Sequence, residues 1–325
     1  MSRFAKRLLL SIAAGMALYA ALAVRSDWHK VADRAAAFSP WAALAAAGLA
    51  AVNYALRFGK WQFLLGRLAI RVPTGRSLGI FLSGFALTVT PGKVGEVLKS
   101  YLLRQSDGVP MARSAPIVVA ERITDLVACL VLVLAGMGSF GASRLALLAC
   151  GIGSAAVVVL VVAVGSRRVG GALIDLAARL PVGARLAPKL REFHEAALTV
   201  LAPAPFAVAT VISVAAWAME CAAFYVILRG FPGTEASLLL CIFIYALTTI
   251  AGAVSPGGLV IQEGAMIGLL VATAHGVDGA TASAATIVTR LCTLWFAVAV
   301  GVAALVVMEQ RLAVDVNDPL ARRAE

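Results

Sequence analysis

The sequence predicts an all-α polytopic membrane protein, and three observations predict it. Apolar residues make up 61% of the 325-residue chain and charged residues only 14%, whereas soluble domains hold about 45–50% and about 25%. The mean hydropathy is +0.93. Several apolar stretches reach the roughly 20 residues that a membrane-spanning helix needs. The chain is therefore expected to form one integral membrane domain over residues 1–310, followed by a short cytoplasmic tail at 311–325.

Six apolar stretches are predicted to cross the membrane, and two others are predicted to be broken or re-entrant helical hairpins. The crossings are expected at residues 8–24, 40–58, 115–138, 145–165, 205–228 and 281–308. The stretches 78–104 and 237–273 each contain a Pro-Gly sequence, in which proline removes a backbone donor and glycine adds backbone freedom. The residues predicted to break these helices are Pro91, Gly92, Gly95, Pro256, Gly257 and Gly258.

The basic residues predict the orientation of the chain. With the N-terminus inside, the cytoplasmic segments hold 20 of the 28 Lys and Arg residues, and the outer segments hold five. Those cytoplasmic segments are residues 1–7, 57–76, 99–113, 166–204 and 309–325. This bias follows the positive-inside rule and predicts a bacterial inner (cytoplasmic) membrane protein with both termini cytoplasmic. It also accounts for the net charge of +11 without nucleic-acid binding.

The first apolar run, residues 8–24, has two interpretations. It follows Arg3, Lys6 and Arg7 and ends near Ala21-Leu22-Ala23, which resembles a signal-peptidase site. The run is long for the core of a signal peptide, and the regions that follow it are also apolar. It is therefore expected to be an uncleaved signal anchor.

The two predicted hairpins resemble each other, which indicates an internal repeat. Each Pro-Gly break is followed by a glutamate, Glu96 or Glu263, and then by an arginine, Arg122 or Arg290. The repeats would cover about residues 78–138 and about 237–308. Three predicted crossings separate the copies, so the second would be inverted, as in many secondary transporters. The alternative is coincidence, because Pro-Gly breaks are common in membrane helices.

Charged residues inside the predicted membrane segments are the candidate substrate-binding or translocation residues. A charge in the hydrocarbon core is costly, so it normally faces a partner or a wet cavity. The candidates are Lys93, Glu96, Glu121, Arg122, Asp125, Glu263 and Arg290. The cations, with the exposed N–H groups of broken helices, suit a phosphate head group. The carboxylates would pair these cations, carry protons or receive a cationic head group; structural ion pairs that lock the helices are the alternative.

The longest polar connection, residues 166–204, is predicted to contain an amphipathic helix. Apolar residues at Leu186, Leu190, Phe193, Ala197 and Val200 recur at helical spacing. This helix is expected either at the cytoplasmic interface, attracted to anionic lipid, or packed on the bundle. Residues 165–171, just before it, are expected to form a turn.

Motifs of soluble enzyme chemistry are not found in the sequence. The three histidines have no metal-ligand companions at suitable spacing, and the five cysteines lie in apolar runs. There is no phosphate-binding loop and no serine-nucleophile motif. No catalytic residue, metal or cofactor is therefore predicted, and a function other than catalysis is favoured.

Three motifs, in order along the chain, resemble a known family. The motifs are Thr90-Pro91-Gly92-Lys93-Val94-Gly95-Glu96-Val97-Leu98-Lys99, Glu121-Arg122-Ile123-Thr124-Asp125, and Ser255-Pro256-Gly257-Gly258 with Gln262-Glu263-Gly264. Over about residues 5–310 the chain resembles the lysylphosphatidylglycerol synthase transmembrane region family, also described as flippase-like domain proteins. The positions that the resemblance indicates are Pro91, Gly92, Lys93, Gly95, Glu96, Glu121, Arg122, Asp125, Pro256, Gly257, Glu263 and Arg290.

The resemblance implies a relation to the part of those synthases that is thought to move aminoacylated phospholipid between leaflets. The full synthases continue into a cytosolic aminoacyl-transferase domain. The residues that follow Met308 are too few to fold such a domain. Synthase activity is therefore not expected of this chain.

Two classes of function follow from these observations. The first is flippase-like translocation of a polar or charged phospholipid or lipid-linked head group across the inner membrane. The alternative is an integral-membrane enzyme, with Glu96 or Glu121 as general base, or an accessory subunit, acting on a lipid-linked substrate of hopanoid, glycolipid or aminoacyl-phospholipid metabolism. The expected partners are membrane lipids with anionic or zwitterionic head groups, together with a lipid-synthesis enzyme.

Overall fold

The described part of the chain is helical, as the sequence predicts. A computed structural model describes residues 28–88, 96–137, 144–252 and 261–317. The helices are α1 (Trp28–Ala36), α2 (Pro40–Arg67), α3 (Thr74–Ser83), α4 (Leu98–Asp107), α5 (Met111–Gly136), α6 (Arg144–Gly165), α7 (Arg167–Ala177), α8 (Pro181–Val200), α9 (Pro203–Arg229), α10 (Leu238–Gly252), α11 (Ile261–Thr273), α12 (Gly279–Arg290) and α13 (Phe296–Asn317). The predicted all-α membrane fold is confirmed.

Three helical segments of the described residues are long and apolar enough to cross a membrane. They are α2, α9 and the continuous segment Gly279–Gln310, in which the π turn Leu291–Trp295 joins α12 to α13. They correspond to the predicted crossings 40–58, 205–228 and 281–308. A fourth span is possible if α6, predicted at 145–165, is counted together with α7.

Two further predicted crossings are not among these spans. Helix α5 matches the crossing at 115–138 and has 26 residues, but Glu121, Arg122 and Asp125 lie within it and set it apart from the apolar spans. The crossing predicted at 8–24 lies outside the described residues. The same holds for all the residues predicted to break the helices.

Three basic residues that were predicted to lie in cytoplasmic segments are instead in the interior. Helix α2 continues to Arg67, so Arg57 and Lys60 are helical and their side chains are largely or fully buried. Lys99, in the first turn of α4, is also buried. These residues are buried because carboxylates in the interior pair with their charges, which offsets the cost of removing them from water.

Helices α2, α5 and α9 form the centre of the bundle. Helix α9 packs along α2 and against α5, and α10 packs against α5. The Asn53 side-chain amide of α2 donates a hydrogen bond of 2.7 Å to the backbone carbonyl of Ala216 in α9. This contact joins the two longest central helices within their buried surface.

The helices on either side of each predicted break pack against each other. Helix α3, extended by a 3-10 turn at Gly84–Leu87, contacts α4, and α10 contacts α11. Both contacts agree with the helical hairpins expected over 78–104 and 237–273. Helix α13 covers α3 and the 3-10 turn, which ties the last described helix to the first predicted hairpin.

The connection at 166–204 consists of two helices, α7 and α8. The turn predicted at 165–171 is wrong for Arg167 onwards, because α7 begins at Arg167 and the chain turns only at Ser166. The Ser166 hydroxyl accepts a hydrogen bond from the Val169 backbone N–H at 3.3 Å. Serine is a favoured helix N-cap. Near the C-terminal end of α8, Ala197 and Val200 are buried and the helix packs on α5, so the packed interpretation of this helix holds for that half.

Gly301→Ala is expected to lower the thermal stability of the protein. Helix α13 approaches the chain at Phe85 so closely that an added Cβ would lie 2.6 Å from the Phe85 carbonyl carbon. Such overpacking costs about 1–3 kcal/mol. Gly48→Ala in α2 is the matched control, since nothing lies within 4 Å of its added Cβ. Equal melting temperatures for the two variants, measured by size exclusion after heating in detergent, would contradict this packing.

Asp278 caps α12 outside the membrane segment. Its carboxylate accepts a hydrogen bond of 2.7 Å from the Thr281 backbone N–H and one of 3.0 Å from Arg34 of α1. The Thr281 N–H and then Arg34 hold the pKa of Asp278 below its usual value of 3.8. Because the pKa is lower in the folded chain, the stabilisation is present above pH 3.8 and is lost as pH falls through the lowered value.

Asp278→Ala is therefore expected to destabilise the protein in a pH-dependent way. At pH 7 the lost cap costs about 1 kcal/mol, whereas Asp278→Asn keeps a capping oxygen and costs less. The difference from wild type should shrink at acid pH, where the wild-type carboxylate is also protonated. Unfolding in detergent from neutral to acid pH measures the difference, and a difference that does not change with pH would exclude the charged cap.

Candidate functional site

Four cations and three carboxylates meet between α2, α4 and α5. The charged network, as we name this set, consists of Arg57, Lys60, Glu96, Lys99, Glu121, Arg122 and Asp125. Arg57 and Lys60 are three residues apart on α2, and Glu121 and Asp125 are four apart on α5, so each pair shares a helix face. The site is thus assembled by helix packing from ordinary helical spacings.

Lys60 is the most enclosed cation of the charged network. Its Nζ donates to Asp125 Oδ1 at 2.6 Å and to Ser213 Oγ of α9 at 2.7 Å, and Thr124 Oγ1 lies at 3.4 Å. The Ser213 hydroxyl donates in turn to Asp125 at 3.0 Å. A buried ammonium is tolerated when it is both paired and hydrogen-bonded, and Lys60 meets both conditions.

Lys99 lies in an aromatic and acidic environment. Its Nζ forms an ion pair and hydrogen bond with Glu121 and lies 4.8 Å from the centroid of the Trp61 ring, a cation–π distance. Its aliphatic stem passes Gly84, where an added Cβ would lie 2.8 Å from Lys99 Cγ. Gly84 therefore makes room for the lysine to reach Glu121.

Arg122 and Arg57 contact the same two carboxylates, but Arg122 lies closer to them. Arg122 NH2 is 3.1 Å from Glu96 Oε2 and 3.0 Å from Asp125 Oδ2. Arg57 NH2 is 3.8 and 3.9 Å from the same two side chains, and its guanidinium lies over the Phe85 ring. The exposed fractions are 26% for the Arg122 side chain and 11% for Arg57. The two arginines are therefore the least buried members of the charged network, although the Nε and NH2 atoms of Arg122 are themselves buried.

The charged network carries one formal positive charge in excess. Its four cations face three carboxylates among the described residues. An anion that approached Arg57 and Arg122 would neutralise this excess in a low-dielectric setting, where the interaction is strong. Guanidinium groups also bind phosphate and carboxylate oxygens through paired hydrogen bonds. The arrangement is chemically suited to an anionic group.

A second charged site lies between α9, α11 and α12. Arg290 at the end of α12 donates from Nε to Glu263 Oε1 of α11 at 2.7 Å, and both side chains are buried. On α9, the Glu220 carboxylate accepts a hydrogen bond of 2.5 Å from the Tyr245 hydroxyl. The Glu263–Arg290 pair corresponds to the Glu96–Arg122 pair. In both predicted repeats, the glutamate that follows the predicted Pro-Gly break pairs with an arginine of the next long helix. A repeat predicts this correspondence.

Tyr54 of α2 lies between the two charged sites. Its hydroxyl donates a hydrogen bond of 2.8 Å to the Thr293 carbonyl in the π turn after Arg290. Its ring packs against Phe85 with centroids 4.9 Å apart, and Arg57 lies about one helical turn further along α2. One face of α2 thus contacts both the 3-10 turn at Gly84–Leu87 and the π turn at Leu291–Trp295.

The structure brings the predicted site residues together in two groups. Glu96, Glu121, Arg122 and Asp125 belong to the charged network, and Glu263 and Arg290 form the second pair. Lys93 lies outside the described residues. Across the described ranges, no group of three or more His, Cys, Asp and Glu residues is arranged to hold a metal ion.

Sequence reasoning missed Arg57, Lys60 and Lys99. A signal for the first two was present, because Asn53, Arg57 and Lys60 follow the i, i+4, i+7 spacing of one helix face in an otherwise apolar stretch. Lys99 lies three residues after Glu96, which places the two on one face of a continuing helix. The charge count treated all three as surface residues because they lie at the ends of apolar runs.

Arg290→Met is expected to destabilise the protein strongly because the Glu263 carboxylate loses the arginine that pairs with it. Breaking one side of a buried pair costs about 3–5 kcal/mol. Adding Glu263→Gln should recover much of this loss, which a double-mutant cycle of unfolding in mixed detergent would detect. Arg191→Met removes an exposed partner of Asp175 and should cost less than about 1 kcal/mol. Additive effects of the two buried substitutions would exclude the coupling.

Comparison with known proteins agrees with the membrane fold. The model of the family "Lysylphosphatidylglycerol synthase TM region" matches residues 8–301. A UPF0104 membrane protein of Methanothermobacter thermautotrophicus is 34% identical over 93 residues, 28% of this chain and 27% of that protein. A second one is 38% identical over 96 residues, 29% of this chain and 28% of that protein, so each match spans less than a third of the relative. The extent of the family match shows that this chain belongs to the lysylphosphatidylglycerol synthase TM region family.

Proposed function

We propose that this protein moves a lipid with an anionic or zwitterionic head group between the two leaflets of the membrane. The observation that carries the proposal is the charged network, with its excess positive charge and with two arginines as its least buried members. Membership of a membrane family with a lipid-related role supports the same class of cargo. The acyl chains would stay in the surrounding lipid while the head group passes through the polar interior.

The pairing within the charged network supports transient binding rather than permanent retention. Glu96 and Asp125 already form ion pairs with Arg122, so an incoming phosphate would exchange with them for the same guanidinium. Because the arginine is paired before and after this exchange, the charge is never left without a partner in the interior. This similarity between the two states lowers the barrier to both entry and release, which translocation requires.

The remaining features of the proposal follow from the sequence. The hairpins would be re-entrant and related by inversion, and Lys93 would add a cation near the first break. With Arg57, Lys60 and Lys99 buried, 17 of the 28 basic residues still lie in the expected cytoplasmic segments, which supports an inner-membrane protein with cytoplasmic termini. A lipid-synthesis enzyme would supply the cargo.

Arg57→Gln is expected to slow lipid exchange at least tenfold in liposomes that contain the purified protein. The glutamine removes one charged donor from a buried site, a loss of about 1.5–3 kcal/mol for a bound anion, and each 1.4 kcal/mol is about tenfold. Fluorescent phosphatidylglycerol, phosphatidylethanolamine and an uncharged glycolipid would be compared by dithionite quenching in wild-type, variant and empty liposomes. Wild type should accelerate the phosphate-bearing lipids.

Arg57 is chosen because its nearest carboxylate contact is 3.8 Å, so the close pairs of the charged network survive its loss. Arg191→Gln, the same chemical change at an exposed position of α8, is the matched control and should exchange lipid at the wild-type rate. Proposed translocation would be contradicted if wild type never exceeded empty liposomes, or if Arg57→Gln eluted as folded protein and exchanged lipid as fast as Arg191→Gln.

A further inference from the structure

Helix α7 presents an apolar face that points away from the rest of the described structure. Val169, Leu173 and Leu176 follow the i, i+4, i+7 spacing of one face, and their exposed fractions are 39%, 51% and 59%. Gly170, about a quarter turn around the helix from this stripe, is buried. Three large apolar residues exposed on one stripe of a short helix indicate a surface that another apolar phase covers.

The contact between α7 and α8 fixes the direction of this face. The His194 ring of α8 lies against Gly170 so closely that an added Cβ would overlap it. Farther along α8, Ala197 and Val200 are buried, and that helix packs on α5. Helix α8, which packs on the central helix α5, therefore holds α7 in place, and the apolar stripe of α7 faces outwards.

The chain turns sharply where α6 leads into α7. The axes of Gly151–Gly165 and Arg167–Ala177 differ by 73°, and Ser166 between them has an extended backbone with φ −103° and ψ 122°. Helix α6 is apolar and matches a predicted crossing. If α6 runs along the membrane normal, α7 lies close to the membrane plane, which is the orientation of an interfacial helix.

Charge around the apolar face complements an anionic surface. From Ser166 to Val200 the chain has six basic and three acidic residues. The basic residues are Arg167, Arg168, Arg179, Arg185, Lys189 and Arg191. Arg168 borders the stripe at its start, and Arg179 follows the end of α7; both are exposed. Apolar and basic residues together are the composition of helices that bind anionic lipid.

We propose that α7 docks on the anionic lipid surface of the leaflet next to the α6–α9 connection. Val169, Leu173 and Leu176 enter the boundary between head groups and acyl chains, and Arg168 and Arg179 contact lipid phosphates. The bend after α6 and the excess of basic residues favour lipid over a protein partner as the occupant. This anchoring would hold the α7–α8 hairpin, and through it α5, at a fixed depth in the membrane. It does not depend on which lipid the protein moves.

A spin label at position 176 tests this docking in the full-length protein. A ketone-bearing amino acid replaces Leu176 and carries the nitroxide, so the five natural cysteines stay in place. The matched control carries the same label at Asp175, the neighbouring exposed residue towards the polar side of the helix. Collision with oxygen, which concentrates in lipid, and with a water-soluble nickel complex would be compared in vesicles that contain phosphatidylglycerol.

The label at 176 is expected to favour oxygen over the nickel complex several-fold more than the label at 175. This preference should weaken in vesicles of phosphatidylcholine alone and in the Arg168→Gln, Arg179→Gln double variant. Equal nickel access at 176 and 175 would overturn the proposal, because the stripe would then face water. A label at 176 that neither reagent reaches would also overturn it, because a protein surface would then cover the face. Neither outcome depends on lipid exchange, so failure of the docking proposal can be distinguished from failure of the proposed function.

Discussion

The cost of placing charge inside a membrane bundle is the constraint on which this structure depends. Lys60 is fully enclosed, and its ammonium contacts Asp125 of α5 and Ser213 of α9, so one charge joins three helices. Without these partners, the charge would exclude that part of α2 from the interior. The positions of α2, α5 and α9 are therefore coupled to the pairing of a few side chains, in addition to apolar packing.

The two halves of the chain use the same pair in different ways. Glu263 and Arg290 are joined at 2.7 Å and both are buried, which suits a pair that holds α11 to α12. Glu96 and Arg122 are joined at 3.1 Å, and Arg122 stays partly accessible among further cations. If the two predicted repeats derive from one ancestral unit, the second repeat keeps only the glutamate–arginine pair. In the first repeat, charged residues of α2 and α4 surround the corresponding pair. Under the proposed function, this difference would make the charged network, and not the Glu263–Arg290 pair, the place where the head group binds.

The sequence predicted the helical membrane fold and the Glu96–Arg122 and Glu263–Arg290 positions, because apolar length and charges within apolar runs are local signals. It did not predict the burial of Arg57, Lys60 and Lys99, because a basic residue at the end of an apolar run has the same local signal whether it faces water or a buried carboxylate. Only the packing of α2 against α5 distinguishes the two. Helix α7 was missed because Gly170 and Gly171 resemble a turn, whereas Gly170 accommodates the His194 ring.

A set of ion pairs that serves only to lock helices has no reason to carry excess charge, because each additional unpaired charge raises the cost of burial. The Glu263–Arg290 pair has the geometry expected of a locking pair, with a distance of 2.7 Å and both side chains buried. Arg57 differs in distance, since its carboxylates are 3.8 and 3.9 Å away. Ion pairs at these distances add little to locking, and under the proposed function an anionic head group would complete the coordination of Arg57.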